Sequence, residues 1–192
     1  MPAVAKTTDD EIAAAARRLL ESGRGDFSMA AVAEATGVRA PSLYKRYADR
    51  QALLARVRRD AYVELGLALA RSAKGPNDRE RLRAMAGAYR KFARKNPRLY
   101  GLLFSRDEDT DTTTSEARVA SVASALEILR RVVGPDRALD AARTLTAFLH
   151  GHITMAQAGA FHLGGDVDGA FTYGVERVLD GIFLPEAARA AR

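Results

Sequence analysis

Apolar residues return every three or four positions from Ile12 to Phe183, and no run of them alternates with polar residues between hairpin turns. That spacing lines one face of a helix and would scatter over both faces of a strand, so the chain is expected to be all-α. The punctuation agrees. Thr8 and Glu11 form a capping box ahead of Ile12, Ala15, Ala16, Leu19 and Leu20, which share a face of the first helix. The glycine-rich turn SGRGD (residues 22–26) closes it. Ser28 is a candidate N-cap for a short second helix that carries Met29, Val32 and Ala33 and stops at Thr36 and Gly37. VRAPSLYKRYADR (38–50) is a third short helix. Asp49 is placed to cap a long fourth one, with Leu53, Leu54, Val57, Ala61, Leu65 and Leu69 as its stripe. Further helices are expected at about 79–96, broken at Pro97 and continued through 99–104, then at about 116–133, 136–161 and 168–183. The polar, acidic stretch 106–115 is expected to be a loop. Asp107–Thr114 either borders the entrance of a cavity or is an ordinary connection.

Charge separates the second helix from the third. The formal net charge is +6 and the pI about 9.9, which permits a nucleic-acid partner without requiring one. Met1 to Gly37 holds four basic and six acidic residues, whereas Val38 to Arg59 holds seven basic residues against Asp49. The sign changes at the turn of a pair shaped like a helix-turn-helix, so its second helix would attract phosphates. On the helical wheel Leu43 and Tyr47 share the inner face; Pro41, Ser42 and Lys45 face outward, flanked by Tyr44 and Arg46. Arg39 and Ala40 open the helix, and Arg39 occupies a cap position that Ser, Thr, Asp or Asn fills better. A broken local rule points to a functional demand, here guanine recognition or a phosphate clamp. Arg71–Arg98 is more basic still, with ten basic and two acidic residues. It reads as a solvated helix face, because no short helix presents it to a groove; the alternative is a surface that flanks DNA or attracts an anionic ligand.

FSMAAVAEATGVRAPSLYKRYADRQALL (27–54) resembles, without a gap, the helix-turn-helix of the TetR/AcrR family of bacterial transcriptional regulators. The resemblance implies a DNA-binding module over residues 1–50 and a regulatory and dimerisation domain over 51–192. It places Tyr44 at the family's phosphate-contacting tyrosine and Arg46 where a histidine is common. Arg50 falls where a phosphate-binding lysine begins the fourth helix, and Ser28 and Met29 where the second helix touches DNA. Arg39 replaces the usual serine cap, and Tyr47 the usual phenylalanine.

AYRKFARKNPRLYGLLF (88–104) with FLHGHITMAQAGAF (148–161) resembles the C-terminal ligand-binding domain known for a Trp-His-Gly signature, of which this chain keeps His150-Gly151 but no tryptophan. That likeness implies an apolar cavity. Met85, Tyr89, Phe92, Tyr100, Phe104, Leu126 and Met155 either line it or belong to the core, since Met and aromatics suit an adaptable pocket. His150 either meets the ligand or is a core histidine bonded to a neighbour. The last two helices would pair with a second copy in a four-helix bundle, with Ala147, Gly151, Ala158, Gly159, Phe171, Val175, Val178, Leu179 and Ile182 available for close contact. The implied function is a homodimer that binds a near-palindromic operator in double-stranded DNA and is released by a small-molecule effector. A DNA-binding regulator without a ligand and a ligand-dependent activator are the alternatives.

Other chemistry finds little support. The absence of cysteine excludes disulfides, zinc fingers and thiol catalysis. No G-x-S-x-G, phosphate-binding glycine loop or H-E-x-x-H occurs, so neither an enzyme nor a cofactor is expected. His150 and His152 stand two apart on a helix and face different ways, so no metal site is expected. The start lacks an apolar signal region, and no apolar run approaches the ~18 residues of a membrane span. A soluble cytoplasmic protein with no membrane partner is expected.

Overall fold

The computed structural model describes residues 7–23, 27–105 and 111–184. Among these residues there are ten helices and no strand: α1 (Asp9–Ser22), α2 (Met29–Thr36), α3 (Ala40–Arg46), α4 (Arg50–Ser72), α5 (Asp78–Lys95), α6 (Pro97–Leu103), α7 (Thr112–Ser121), α8 (Ala123–Val133), α9 (Pro135–Gln157) and α10 (Val167–Phe183). Packing gathers them into two compact units that part within α4. The first holds the residues up to Val63 with Asn96–Arg118, and the second Glu64–Lys95 with the residues from Val119 onward.

In the first unit the capping box closes as its sequence implies. The Thr8 N–H donates to Glu11 Oε2 at 2.7 Å, and the Glu11 N–H donates to Thr8 Oγ1 at 3.2 Å. Ile12 and Ala16 of α1 are fully buried, as are Val32, Leu43 and Leu53. Burying each large aliphatic side chain contributes ~1.5–3 kcal/mol, and this small core is what positions α3. Polar contacts fasten α6 to it from two sides. Glu21 Oε1 accepts the Leu99 N–H at 2.7 Å and Arg17 donates to Asn96 Oδ1 at 2.9 Å. From α4, the buried Arg58 donates through Nε to the Leu102 carbonyl at 3.1 Å and the Tyr62 hydroxyl to the Leu103 carbonyl at 2.7 Å. Those carbonyls at the end of α6 lack the i+4 amide of a helix interior, so side chains help to satisfy them.

Three boundaries differ from expectation, each for a local reason. Residues 106–110 lie outside the described part, but the expected loop ends earlier than Ser115. Asp111 accepts the Thr114 N–H at 2.6 Å and starts α7 at Thr112, and Thr114 is buried. The single helix expected at 116–133 is two, because the Val122 N–H turns to the Val119 carbonyl at 3.3 Å and interrupts the ladder between α7 and α8. The next helix stops at Gln157 rather than Phe161, since Gly159 turns left-handed (φ 66°) and the Ala160 N–H returns to the Met155 carbonyl at 2.9 Å.

The second unit packs α5, α8, α9 and α10 around Leu82, Leu129 and Leu179, all fully buried. Phe171, Val175, Leu179 and Ile182, expected to meet a second copy, instead face this chain's own core. Their three- and four-residue spacing is a buried stripe here, and only Ala147, Ala158 and Gly159 of that set are exposed, with Gly151 and Val178 half-buried. The basic run on α5 is corrected too. Rather than facing solvent alone, Arg79 donates to Glu176 Oε2 at 2.8 Å and to Asp180 Oδ1 at 2.6 Å, Arg83 also pairs with Glu176, and Arg90 and Arg94 both pair with Asp168. The carboxylates of α10 match the guanidinium groups of α5 along the seam between them.

At Gly66 the backbone of another helix comes close: a Cβ built there would stand 2.9 Å from the Ser121 Cα, whereas one at Gly87 meets nothing within 4 Å. Both glycines are inside helices, so alanine gains the same helix propensity at either, about 1 kcal/mol. Gly87→Ala is expected to raise the melting temperature by about 2–4 °C, and Gly66→Ala to lower it, because overpacking against backbone costs about 1–3 kcal/mol. Thermal unfolding of the two variants side by side measures the difference.

The seam also sets a pH dependence. Bonds from Arg83 and Arg79 hold the Glu176 carboxyl down at about 2, against an ordinary value near 4.5. A depressed carboxyl stabilises the fold fully above its unfolded value, and that contribution disappears as pH falls through the folded one. Glu176→Gln is therefore expected to melt about 2–4 °C below wild type at pH 7. The gap should close as the pH falls from 4.5 toward 2, the window the shift defines.

Candidate nucleic-acid interface and apolar cavity

α2 and α3 meet at a turn that only a left-handed residue makes without strain. Gly37 takes φ 68°, and its N–H returns to the Glu34 carbonyl at 3.3 Å. Ser28 caps α2, its hydroxyl accepting the Ala31 N–H at 3.2 Å. Arg39 stands at the cap of α3 and gives it no side-chain bond; Pro41 in the first turn removes one of the amides that would need an acceptor. Below, Leu43 is fully buried and Tyr47 8% exposed. Above, Arg39, Ala40, Pro41, Ser42 and Lys45 are exposed, and Tyr44 is 51% exposed. The inward and outward faces read from the helical wheel are those of the structure.

The cations around this face differ in what they are free to do. Arg46 is engaged: it donates to the Thr7 carbonyl at 2.6 Å and to Asp9 Oδ1 at 3.1 Å, tying α3 to the start of α1. Arg56 pairs with Asp10 and Asp60. Burial opposes its charge, but the bonds to those carboxylates outweigh it and raise its pKa. Arg58 is buried. Among the described residues Arg39 and Lys45 have no intrachain partner, so the positive surface is smaller than the seven bases of the sequence suggest. Arg50 donates through Nε to the Phe27 carbonyl at 3.0 Å, beside the start of α2. One expected contact is corrected. Met29 is buried, so its side chain packs in the core and Ser28 is the polar group at that helix start.

In the second unit an apolar cavity of about 50 Å³ lies among α4, α5, α8 and α9, lined chiefly by Leu69, Met85, Tyr89, Leu129, Leu145 and Leu149. Met85 and Tyr89 are the two expected residues that line it. Phe92 is buried elsewhere in the same unit, Leu126 and His150 are half-buried outside the lining, and Met155 is 46% exposed. Tyr100 and Phe104 belong to the first unit, where their rings lie 5.1 Å apart. Sequence spacing put all eight on inward helix faces; it did not say which inward face meets the cavity. Burial lowers the pKa of His150. The His152 ring sits among Phe148, Phe161 and Phe171, and burial favours its neutral form. Among the described residues no three His, Asp or Glu side chains gather as metal ligands.

Phe27 was not expected to meet a base at this surface. The sequence places it just before the N-cap of α2, a position that ordinarily serves packing, and gives no sign that it meets Arg50.

Comparison with known proteins follows the same division. Residues 12–57 match the family model described as "Bacterial regulatory proteins, tetR family", and residues 82–178 match "Tetracyclin repressor-like, C-terminal domain". The uncharacterized HTH-type transcriptional regulator YobS of Bacillus subtilis (strain 168) is 25% identical over 183 residues, 95% of this chain and 96% of the relative. A solved protein of unknown function from Rhodococcus sp. RHA1 has a TM-score of 0.82 at 27% identity, over 96% of this chain and 100% of that one. A singly substituted TetR from Acinetobacter baumannii AYE in complex with minocycline has a TM-score of 0.69 at 23% identity, over 92% and 96%. The last likeness is one of fold.

Met29 and Lys45 are expected to separate packing from contact. Met29→Ala empties a buried site and should cost about 2–5 kcal/mol in thermal or denaturant unfolding. Lys45→Ala should leave stability unchanged, weaken binding to duplex DNA and reduce its salt slope by about one.

Proposed function

Because the chain belongs to the TetR family of bacterial transcriptional regulators, a DNA-binding helix-turn-helix protein, we propose that it is a homodimeric repressor that a small-molecule effector releases from a near-palindromic operator. The observation that carries the DNA-binding half is the outer face of α3. Arg39, Pro41, Ser42, Tyr44 and Lys45 stand exposed over a buried Leu43, the arrangement that sends side chains into a major groove while basic groups meet phosphate. Ser28 and Arg50 would add phosphate contacts at the start of α2, and Arg46 would orient α3 rather than reach DNA. Two copies joined through α9 and α10 would present two such faces to successive grooves. The exposed apolar residues Leu139 and Met155 on α9 and Tyr173 on α10 support that pairing. A regulator of this kind works where the DNA is, in the cytoplasm; no helix among the described residues is long and apolar enough to cross a membrane.

The effector would enter the cavity beside Met85 and Tyr89. At about 50 Å³ it holds only a few heavy atoms unless side chains shift, and methionine is the residue best suited to shifting. The effector's influence on operator affinity equals its differential affinity for the two states, and no more. The same small volume favours one competing reading, in which the C-terminal domain dimerises and senses nothing. A ligand-dependent activator would use the same cavity with the opposite sign.

The deciding experiment is a binding titration on the DNA upstream of the protein's own gene at two salt concentrations. Saturable binding with one dimer per site and a steep salt slope is expected. Binding no tighter than to unrelated DNA, there and on genomic fragments, overturns the operator reading. A small-molecule panel on that complex then separates the readings: release supports the repressor, tightening the activator, and no response to any compound the ligand-free regulator.

A further inference from the structure

We propose that Phe27 is a positioning residue for DNA contact: it holds the Arg50 guanidinium at the surface as a preset phosphate fork, a role that rests on the DNA-binding reading above. Arg50 opens α4 and is exposed. Its Nε–H donates to the Phe27 carbonyl at 3.0 Å, and its guanidinium carbon lies 5.3 Å from the centroid of the Phe27 ring. One attachment is a hydrogen bond from Nε and the other the attraction of the cation to the ring. No acceptor among the described residues takes the two terminal nitrogens. Those nitrogens form the fork that matches two oxygens of a phosphodiester.

The place suits an anion. Phe27 immediately precedes Ser28, the N-cap of α2, so the fork stands beside the positive end of that helix. Neighbouring cations make the contrast. Arg46 and Arg56 are engaged by Thr7, Asp9, Asp10 and Asp60, and Arg58 is buried on the Leu102 carbonyl. Among the described residues Arg39 and Lys45 have no intrachain partner, and no bond or ring contact orients them. Arg50 alone in this set is exposed and held in place with no carboxylate against it among the described residues. A mobile side chain gives up rotamer freedom when it meets phosphate, whereas Arg50 gives up most of it on folding. Lysine at this position has a single nitrogen, so its bond to the carbonyl would leave no planar fork for a phosphate.

A double-mutant cycle on a mixed-sequence DNA duplex tests the role, because phosphate contacts do not depend on sequence. Arg50→Ala is expected to lower affinity about tenfold and to reduce the salt slope by about one. Phe27→Leu keeps an apolar side chain and removes the ring; it should weaken binding about two- to fivefold. In the Arg50→Ala background it should do nothing further, and Phe27→Tyr should bind like wild type. An equal loss from Phe27→Leu with and without Arg50, or no loss at all, overturns the positioning role. Should Phe27→Leu fail to fold in thermal unfolding, Arg50→Lys carries the test. It retains the charge and is expected to lose about as much as the leucine variant, so full affinity overturns the proposal. Failure of the wild-type protein to bind any duplex overturns the DNA-binding reading itself, and is seen before any variant is made.

Discussion

α3 has seven residues, too few for its own hydrogen bonds to hold it as a helix in water, so its existence and its rotation depend on the burial of Leu43 and Tyr47. Those two side chains fix the inner face. Everything on the outer face follows by the helical period: Pro41, Ser42, Tyr44 and Lys45 are exposed because Leu43 is not. Gly37 sets the direction from which the chain arrives, and Arg46 ties the far end of α3 to Thr7 and Asp9. The chemistry that α3 turns outward is therefore a consequence of a small apolar core rather than of the polar residues themselves.

Charge has two opposite uses in this chain. On α5 the arginines are matched by Glu176, Asp180 and Asp168 of α10, and the depressed pKa of Glu176 records how fully it is engaged. Around α3 and at the start of α4, Arg39, Lys45 and Arg50 have no carboxylate opposite them among the described residues, while Arg46 is held by Asp9. A pair on a partly exposed seam contributes modestly to stability, while an unmatched base on an exposed face contributes nothing to the fold and can serve association. Total charge does not distinguish the two cases, and the more basic segment is the one that its own chain neutralises.

Helix existence was legible because capping and period are local. The Thr8–Glu11 box, the Ser28 cap, Gly37 and the stop at Lys95 before Pro97 stand where the sequence puts them. The helix-turn-helix was legible for the same reason, its spacing being contained in about thirty residues. Boundaries failed where a local signal had a rival: Gly159 ended α9 short of Phe161, and Asp111 began α7 inside a stretch that reads as loop. The candidate cavity was least legible. Eight inward-facing residues were credible, and two line it, because each helix has one inward stripe but several neighbours.

By itself the sequence determined an all-α chain, the register of each helix face and the place of the helix-turn-helix, all of which follow from residues within a few turns of one another. Tertiary structure alone decided which carboxylate meets which arginine, that Met29 is core, that Phe171 through Ile182 pack inward, and that Arg50 lies on Phe27. These depend on contacts between residues far apart in the chain, or on a rotation set by such contacts. A helical period tells which side chains share a face; only packing against a particular neighbour tells what that face meets.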